Sequence, residues 1–277
     1  MRSVKVLIAA GAASLLSQAA FGADLAIAPP PQYYAPPPIQ DFGGWYLRGD
    51  VGMTNSTAKL YDNNYATVPA GGLQQLGEGF TGGTSWGLGA GYQFNNWFRA
   101  DITGEYRSRV GFTGTDIATF PGATFSDVYQ GGYSSWVGLV NVYADLGTWW
   151  CITPFIGAGV GVANIQTTGL QDSGSNLTGG VLAGGASYFA NGASTTNLAW
   201  AVHAGLAYHV NRNFTVELAY RYLDMGTANH GFGSSFDGSN AGPSSFQFRD
   251  LTSQDLRIGV RWTCCDVEPP PPLIRKG

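Results

Sequence analysis

Charge, cysteine and long apolar runs are all scarce in this chain. Charged residues make up 12% of 277 positions, while aromatics reach 13% and glycines number 41. Ordinary soluble domains carry about a quarter charged residues, so this composition argues against one. Beyond residue 22 no segment offers the ~18–20 uninterrupted apolar residues of a membrane helix. Cysteine is limited to Cys151, Cys264 and Cys265, with no Cys-x-x-Cys pair, which excludes a zinc ribbon or a redox dithiol. The formal charge is −4 and no basic patch appears, so nucleic acid is not an expected partner.

What is present begins with an export signal. Arg2 and Lys5 precede an apolar run from Val6 to Leu16, and Ala20-Phe21-Gly22 offers small residues before Ala23. That pattern reads as a secretory signal peptide over residues 1–22. A proline-rich segment over 23–43 follows, including APPPQYYAPPPIQ at 28–40. Such a stretch is extended and semi-rigid. A second proline-rich tail covers 263–277, and both tails are expected on the periplasmic side.

Between them, 44–262 alternates apolar and polar residues in eight stretches: about 44–53, 84–94, 97–107, 133–146, 153–164, 198–210, 214–225 and 252–262. The second sets Trp86, Leu88, Ala90, Tyr92 and Phe94 against Ser85, Gly87, Gly89, Gly91 and Gln93. The third sets Phe98, Ala100, Ile102 and Tyr106 against Arg99, Asp101, Thr103, Glu105 and Arg107. A period of two is that of a strand. The large residues form the continuous face, the reverse of a soluble sandwich. A chain with no membrane helix must close its backbone hydrogen bonds as a barrel to span a bilayer. The expected fold is therefore all-β, an eight-stranded antiparallel transmembrane β-barrel in the outer membrane. A further hairpin at 177–192 would make ten strands.

Connections alternate in length. Asn95-Asn96, Gly147–Ile152 and Asn211–Asn213 are short, whereas 54–83, 108–132, 165–197 and 226–251 are long and rich in Gly, Ser, Thr and Asn. Short periplasmic turns and long external loops match outer-membrane barrels. Trp45, Phe94, Trp97, Trp149, Trp150, Phe214 and Trp262 fall at the turn ends, and Trp86, Tyr106, Trp136, Trp200 and Tyr222 nearer the loop ends. Two aromatic girdles are expected there.

The inward positions collect Arg48, Arg99, Arg107, Arg221, Arg257 and Arg261 with Asp50, Asp101, Glu105, Asp145, Glu217 and Asp255. Buried charges are costly unless paired, so this balance predicts an ion-pair network. Arginine's planar fork suits bidentate carboxylate pairing. The interior then reads as a polar plug, with a narrow pore or proton path as the alternative. The glycines of GAGVGVA at 157–163 sit at strand period and are expected to make room for long Arg side chains opposite; no phosphate loop is present.

An enzymatic reading finds little. His203 and His209 fall on the inward face and are expected to be satisfied by carboxylates; His230 lies in a glycine-rich external loop. No nucleophile elbow is read from the chain, and neither cofactor nor metal is expected. The loops carry Asp62, Glu78, Asp116, Asp127, Asp172, Asp237 and Asp250 against Lys59, Arg109 and Arg249, a mild excess of acid without metal-ligand spacing. A disulfide from Cys151 to Cys264 or Cys265 across the barrel floor is a further expectation.

GGWYLRGDVG, WGLGAGYQFNNWFRADITGEYR, VNVYADLG, TPFIGAGVGVAN, NFTVELAYRYLDMG and SQDLRIGVRW, on consecutive strands, resemble the alphaproteobacterial outer-membrane β-barrel family of surface immunogenic and haemin-binding proteins. The resemblance extends more distantly to opacity and OmpA-type barrels. It implies envelope integrity, with host contact or haem binding in some members; no haem ligand carries over. Expected partners are outer-membrane lipid and lipopolysaccharide, the barrel-assembly machinery, and peptidoglycan or a host surface. Three functions stand open: a structural, surface-displaying barrel; a small porin or slow channel; and a surface adhesin or haem receptor.

Overall fold

A computed structural model of the protein describes residues 44–264. The signal-peptide reading, the proline-rich N-terminal segment and Cys265 with the tail beyond it lie outside the described residues. Among the described residues no helix is long and apolar enough to cross a membrane.

The chain folds as one antiparallel sheet of fourteen strands: β1 (Gly44–Tyr61), β2 (Leu73–Phe80), β3 (Gly83–Gln93), β4 (Phe98–Phe120), β5 (Ala123–Asp145), β6 (Ile152–Thr167), β7 (Leu170–Thr178), β8 (Val181–Ala190), β9 (Ser194–His209), β10 (Phe214–Asp224), β11 (Ala228–Asn229), β12 (Phe232–Ser235), β13 (Gly242–Pro243) and β14 (Gln247–Thr263). The expectation of eight strands is thereby corrected. The eight anticipated stretches are all strands, and their pairings run in a cycle. β1 pairs with β3 and β14, and the circuit passes through β4, β5, β6, β9 and β10.

The other six strands come from segments expected to be loops. β4 and β5 each run 23 residues and are joined only by Pro121-Gly122, so most of 108–132 is a hairpin arm. β7 and β8 form the hairpin anticipated near 177–192, but they pair with β5 and β12 and do not enter the cycle. Polar Gly/Ser/Thr composition hid these strands, because strand pairing needs only backbone groups and tolerates such side chains.

Two of the short turns share one device. Asn95 Oδ1 accepts the backbone N–H groups of Trp97 and Phe98 at 3.0 and 2.8 Å, and Asn211 Oδ1 accepts those of Asn213 and Phe214 at 2.9 and 2.8 Å. A side-chain acceptor two and three residues ahead folds the backbone back on itself. In the remaining short turn Trp150 and Cys151 take positive φ values of 49° and 68°.

Outward positions carry the large apolar side chains. Leu47, Leu88, Ile102, Val140, Ile156, Leu218 and Ile258 are all exposed, as are Trp45, Trp97, Trp149 and Trp262 at the turn end. Toward the other end Tyr106 packs on Trp136 and Trp200 on Tyr222, with ring centroids 4.9 and 5.5 Å apart.

Close packing inside the cycle depends on glycine. A Cβ on Gly91 would run into the Tyr46 ring and sit 2.6 Å from Asp101 Cβ. Overpacking of this kind costs about 1–3 kcal/mol. We expect Gly91→Ala to lower the urea midpoint of the folded protein in vesicles, followed by tryptophan fluorescence. Exposed Gly104, with open space around it, should accept alanine without a comparable shift.

Candidate functional site

Chemistry-bearing side chains gather in number in the interior of the cycle. All twelve anticipated charges meet there, supplied by β1, β4, β5, β10 and β14. Toward the arms, Glu105 and Asp255 sit among three arginines. Arg221 grips Glu105 with Nη1 and Nη2 at 2.9 and 2.6 Å and reaches Asp255 through Nε at 2.9 Å. Arg107 makes a second fork onto Asp255 at 2.8 and 3.0 Å and also donates to Glu105 at 3.0 Å. Arg257 meets Glu105 at 2.8 Å and pairs with Asp50.

Asp50 links this cluster to a second one nearer the short turns. Arg48 contacts Asp50, Asp101 and Glu217 at 3.4, 2.9 and 3.4 Å. Arg99 joins Asp145 and Glu217, both at 3.2 Å, and Arg261 reaches Glu217 at 3.6 Å. Neutral donors complete it: Asn141 and Tyr46 donate to Asp101 at 2.7 and 3.1 Å. Arg99 also lies over the rings of Tyr143 and Phe155, 4.2 and 4.8 Å from their centroids, a cation–π stack.

Room for these side chains comes from glycine, though not where expected. On β3, a Cβ at Gly87 would meet Asp50 and Arg257, and one at Gly89 would press on Arg48. The Gly157 and Gly159 positions of β6 instead accommodate Tyr143 and Asn141. The arginine-spacing expectation for 157–163 is corrected accordingly, because β6 lies beside the polar and aromatic face of β5.

The histidine expectation is also corrected. His209 lies between the hydroxyls of Thr153 and Thr215 at 3.0 and 3.1 Å. His203 faces the Tyr143 ring, and its Nε2 is buried without a hydrogen-bond partner among the described residues. Neither is held by a carboxylate, since the arginines occupy those. His230 is 5% exposed; Nδ1 approaches the Phe246 carbonyl at 3.4 Å and the ring packs on Phe248. Burial pushes its pKa down to about 4.

Gly83-Thr84-Ser85-Trp86-Gly87 does fit the Gly-x-Ser-x-Gly spacing of a nucleophile elbow, contrary to the reading from sequence. It lies within extended β3 rather than on a strand-to-helix turn, and Ser85 is 1% exposed, in register with Arg107. Cys151 and Cys264 are both free thiols, so no disulfide joins them. Cys151 precedes β6 and Cys264 follows β14, with β9 and β10 between those strands in the sheet.

Sequence reasoning missed a second filling. Beyond a register shift between Arg107 and Val110, the inner face of β4 turns from charged to apolar. Val110, Phe112, Tyr133, Leu223 and Phe248 are buried there, and Phe80 packs on Phe112, Tyr133 and Phe248 with centroids 5.0–5.4 Å apart. The signal was legible as alternation, Val110/Phe112 and Phe246/Phe248, once those segments are taken as strands.

A family model described as outer membrane protein beta-barrel domain matches residues 7–263. An uncharacterized protein of Brucella abortus strain 2308 is 27% identical, covering 88% of this chain and 92% of its own. The outer membrane protein PagN of Salmonella typhimurium is 26% identical over 79% of this chain and 89% of its own. Among solved structures, OprG of Pseudomonas aeruginosa overlays with a TM-score of 0.41 at 13% identity, covering 80% of this chain and 97% of that one.

Removing one partner from a buried ion-pair cluster strands the others and costs about 3–5 kcal/mol. Arg221→Ala should therefore lower stability in urea by that order, while Arg212→Ala, in an exposed turn, should stay within about 0.5 kcal/mol of the parent. Equal unfolding midpoints for the two variants would refute a structural role for the cluster.

Proposed function

This chain belongs to the outer-membrane β-barrel family and resides in the cell outer membrane, and we propose that it serves there as a non-enzymatic structural barrel that displays its arms at the surface. In this reading the cycle of eight strands is the membrane-spanning barrel. The short turns face the periplasm, the arms face outward, and the exposed apolar band meets lipid. The proline-rich segments flank the barrel on the periplasmic side, after removal of residues 1–22.

One observation carries the proposal: the interior is filled twice. Twelve charges are consumed in mutual pairs, and the aromatic core of Phe80, Phe112, Tyr133 and Phe248 lies above them. Eight strands enclose only enough room for side chains. A barrel so packed supports the envelope rather than conducting solutes.

A surface-receptor reading finds support in the arms, where Val181, Leu182, Phe232 and Phe236 stand exposed. Lipopolysaccharide and host surfaces are the partners within their reach, and the assembly machinery is the partner during insertion. Buried His230 gives a haem-binding role no accessible imidazole in this loop. The Brucella relative supports a place near the alphaproteobacterial members.

Single-channel recording in planar bilayers tests the choice. The protein should insert, as judged by protease protection, and remain electrically silent. Reproducible open steps would transfer the function to a small porin.

A further inference from the structure

Four carboxyl groups far apart in sequence converge in the arms. Asp62 follows β1, Asp116 lies on β4, Asp127 on β5 and Asp172 on β7, and all four line one cavity of about 270 Å³. No lysine or arginine lines it among the described residues. The nearby cations are engaged elsewhere: Lys59 pairs with Asp250 at 3.7 Å, and Arg249 lies over the Tyr61 ring.

Acidic clustering alone would mean little, but one group is stranded. Asp116 is 1% exposed, and its Oδ2 accepts the hydroxyls of Tyr65 and Tyr129 at 2.5 and 2.9 Å. Its Oδ1 is buried with no hydroxyl, amide or cationic donor against it among the described residues; directly across the β4–β5 ladder lies the carboxyl of Asp127, which hydrogen-bonds to Asp116 only when it carries a proton. Asp172 Oδ1 is buried and unpartnered as well. A buried acceptor left without a donor is destabilising, so the cavity favours any group that supplies one.

In the empty site a proton held between the carboxyls is the donor, and a ligand that displaces it must itself donate and carry positive charge. Among the described residues no group of three or more His, Cys, Asp or Glu is arranged to hold a metal ion. Phe120 and Phe125 on the cavity wall provide apolar faces for a methylene chain. We propose that this cavity binds a free linear polyamine, its ammonium groups shared between Asp116 and Asp172 and its methylenes lying along the aromatic wall. Tyr65 and Tyr129 act as positioning residues that hold the Asp116 carboxylate.

Near neutral pH the empty site holds a proton on Asp172, and Asp127 takes one as the pH falls toward 6. Burial, reinforced by repulsion from Asp116, by the hydrogen bond the protonated carboxyl makes to Asp116 and by repulsion from Asp62, raises Asp127 to about 6. Burial, with Asp127, Asp116 and Asp62 adding, raises Asp172 to about 8. Glu78, near Asp116, is also pushed up, mainly by burial. A bound polyamine favours the ionised carboxyls, so binding near neutral pH must release protons and must weaken as the pH falls toward 5.

Calorimetric titration of spermidine into the protein, extracted from outer membranes into a zwitterionic detergent, tests this. Saturable one-to-one binding is expected, tighter than that of butylamine, with heats that change with buffer ionisation enthalpy. Asp116→Asn and Asp172→Asn should each weaken it by roughly tenfold or more. Asp172, at the partly exposed edge, serves as the variant if Asp116→Asn fails to fold, which heat-dependent gel mobility reports. Absence of saturable spermidine binding, tighter binding of calcium than of spermidine, or wild-type affinity in a folded Asp172→Asn would each overturn the proposal. Conduction or silence of the barrel bears on none of these outcomes.

Discussion

Every backbone polar group placed in hydrocarbon must find its partner within the protein. The pairing of β1 with β14, residue against residue from Tyr46↔Thr263 to Thr57↔Thr252, meets that demand by leaving the cycle no free edge. Closure fixes which face of each strand looks inward, because a slip of one residue would turn arginine to lipid and leucine to the lumen. The ion-pair network follows from it: long charged side chains confined to a narrow lumen reach one another, and the small residues of β3 and β6 are the space they and their neighbours occupy.

The membrane-spanning part was legible because two independent constraints write the same pattern. Lipid selects large apolar residues outward, and the narrow interior selects glycine or paired charge inward, so every second position of β3, β4 and β10 is informative. The twelve interior charges could be named from that alternation alone. Their partners could not: Arg221 reaches Glu105 across 116 positions of sequence, and only ring closure brings them together.

The arms were read as loops for the opposite reason. Outside the bilayer nothing demands an apolar outer face, so β7 and β8 carry Ser, Gly, Asn and Ala and lose the contrast that periodicity detects. Their existence rests on backbone pairing to β5 and to one another. Misreading them also concealed the aromatic core, whose members come from β2, β4, β5 and β14, and the gathering of Asp62, Asp116, Asp127 and Asp172. The histidines failed differently. Their inward placement was correct, but arginine outcompetes histidine for the carboxylates, which left His209 to threonine hydroxyls and His203 to an aromatic ring.

The register shift between Arg107 and Val110 marks where one kind of filling gives way to the other. Apolar burial is non-directional and tolerates exchange of one hydrophobe for another of like volume, whereas a forked ion pair tolerates little change in the geometry of either partner. The two halves of the same long hairpin therefore differ in how freely they can change. The aromatic end can drift among side chains of similar size, while the lumen holds to arginine and does not admit even lysine in its place.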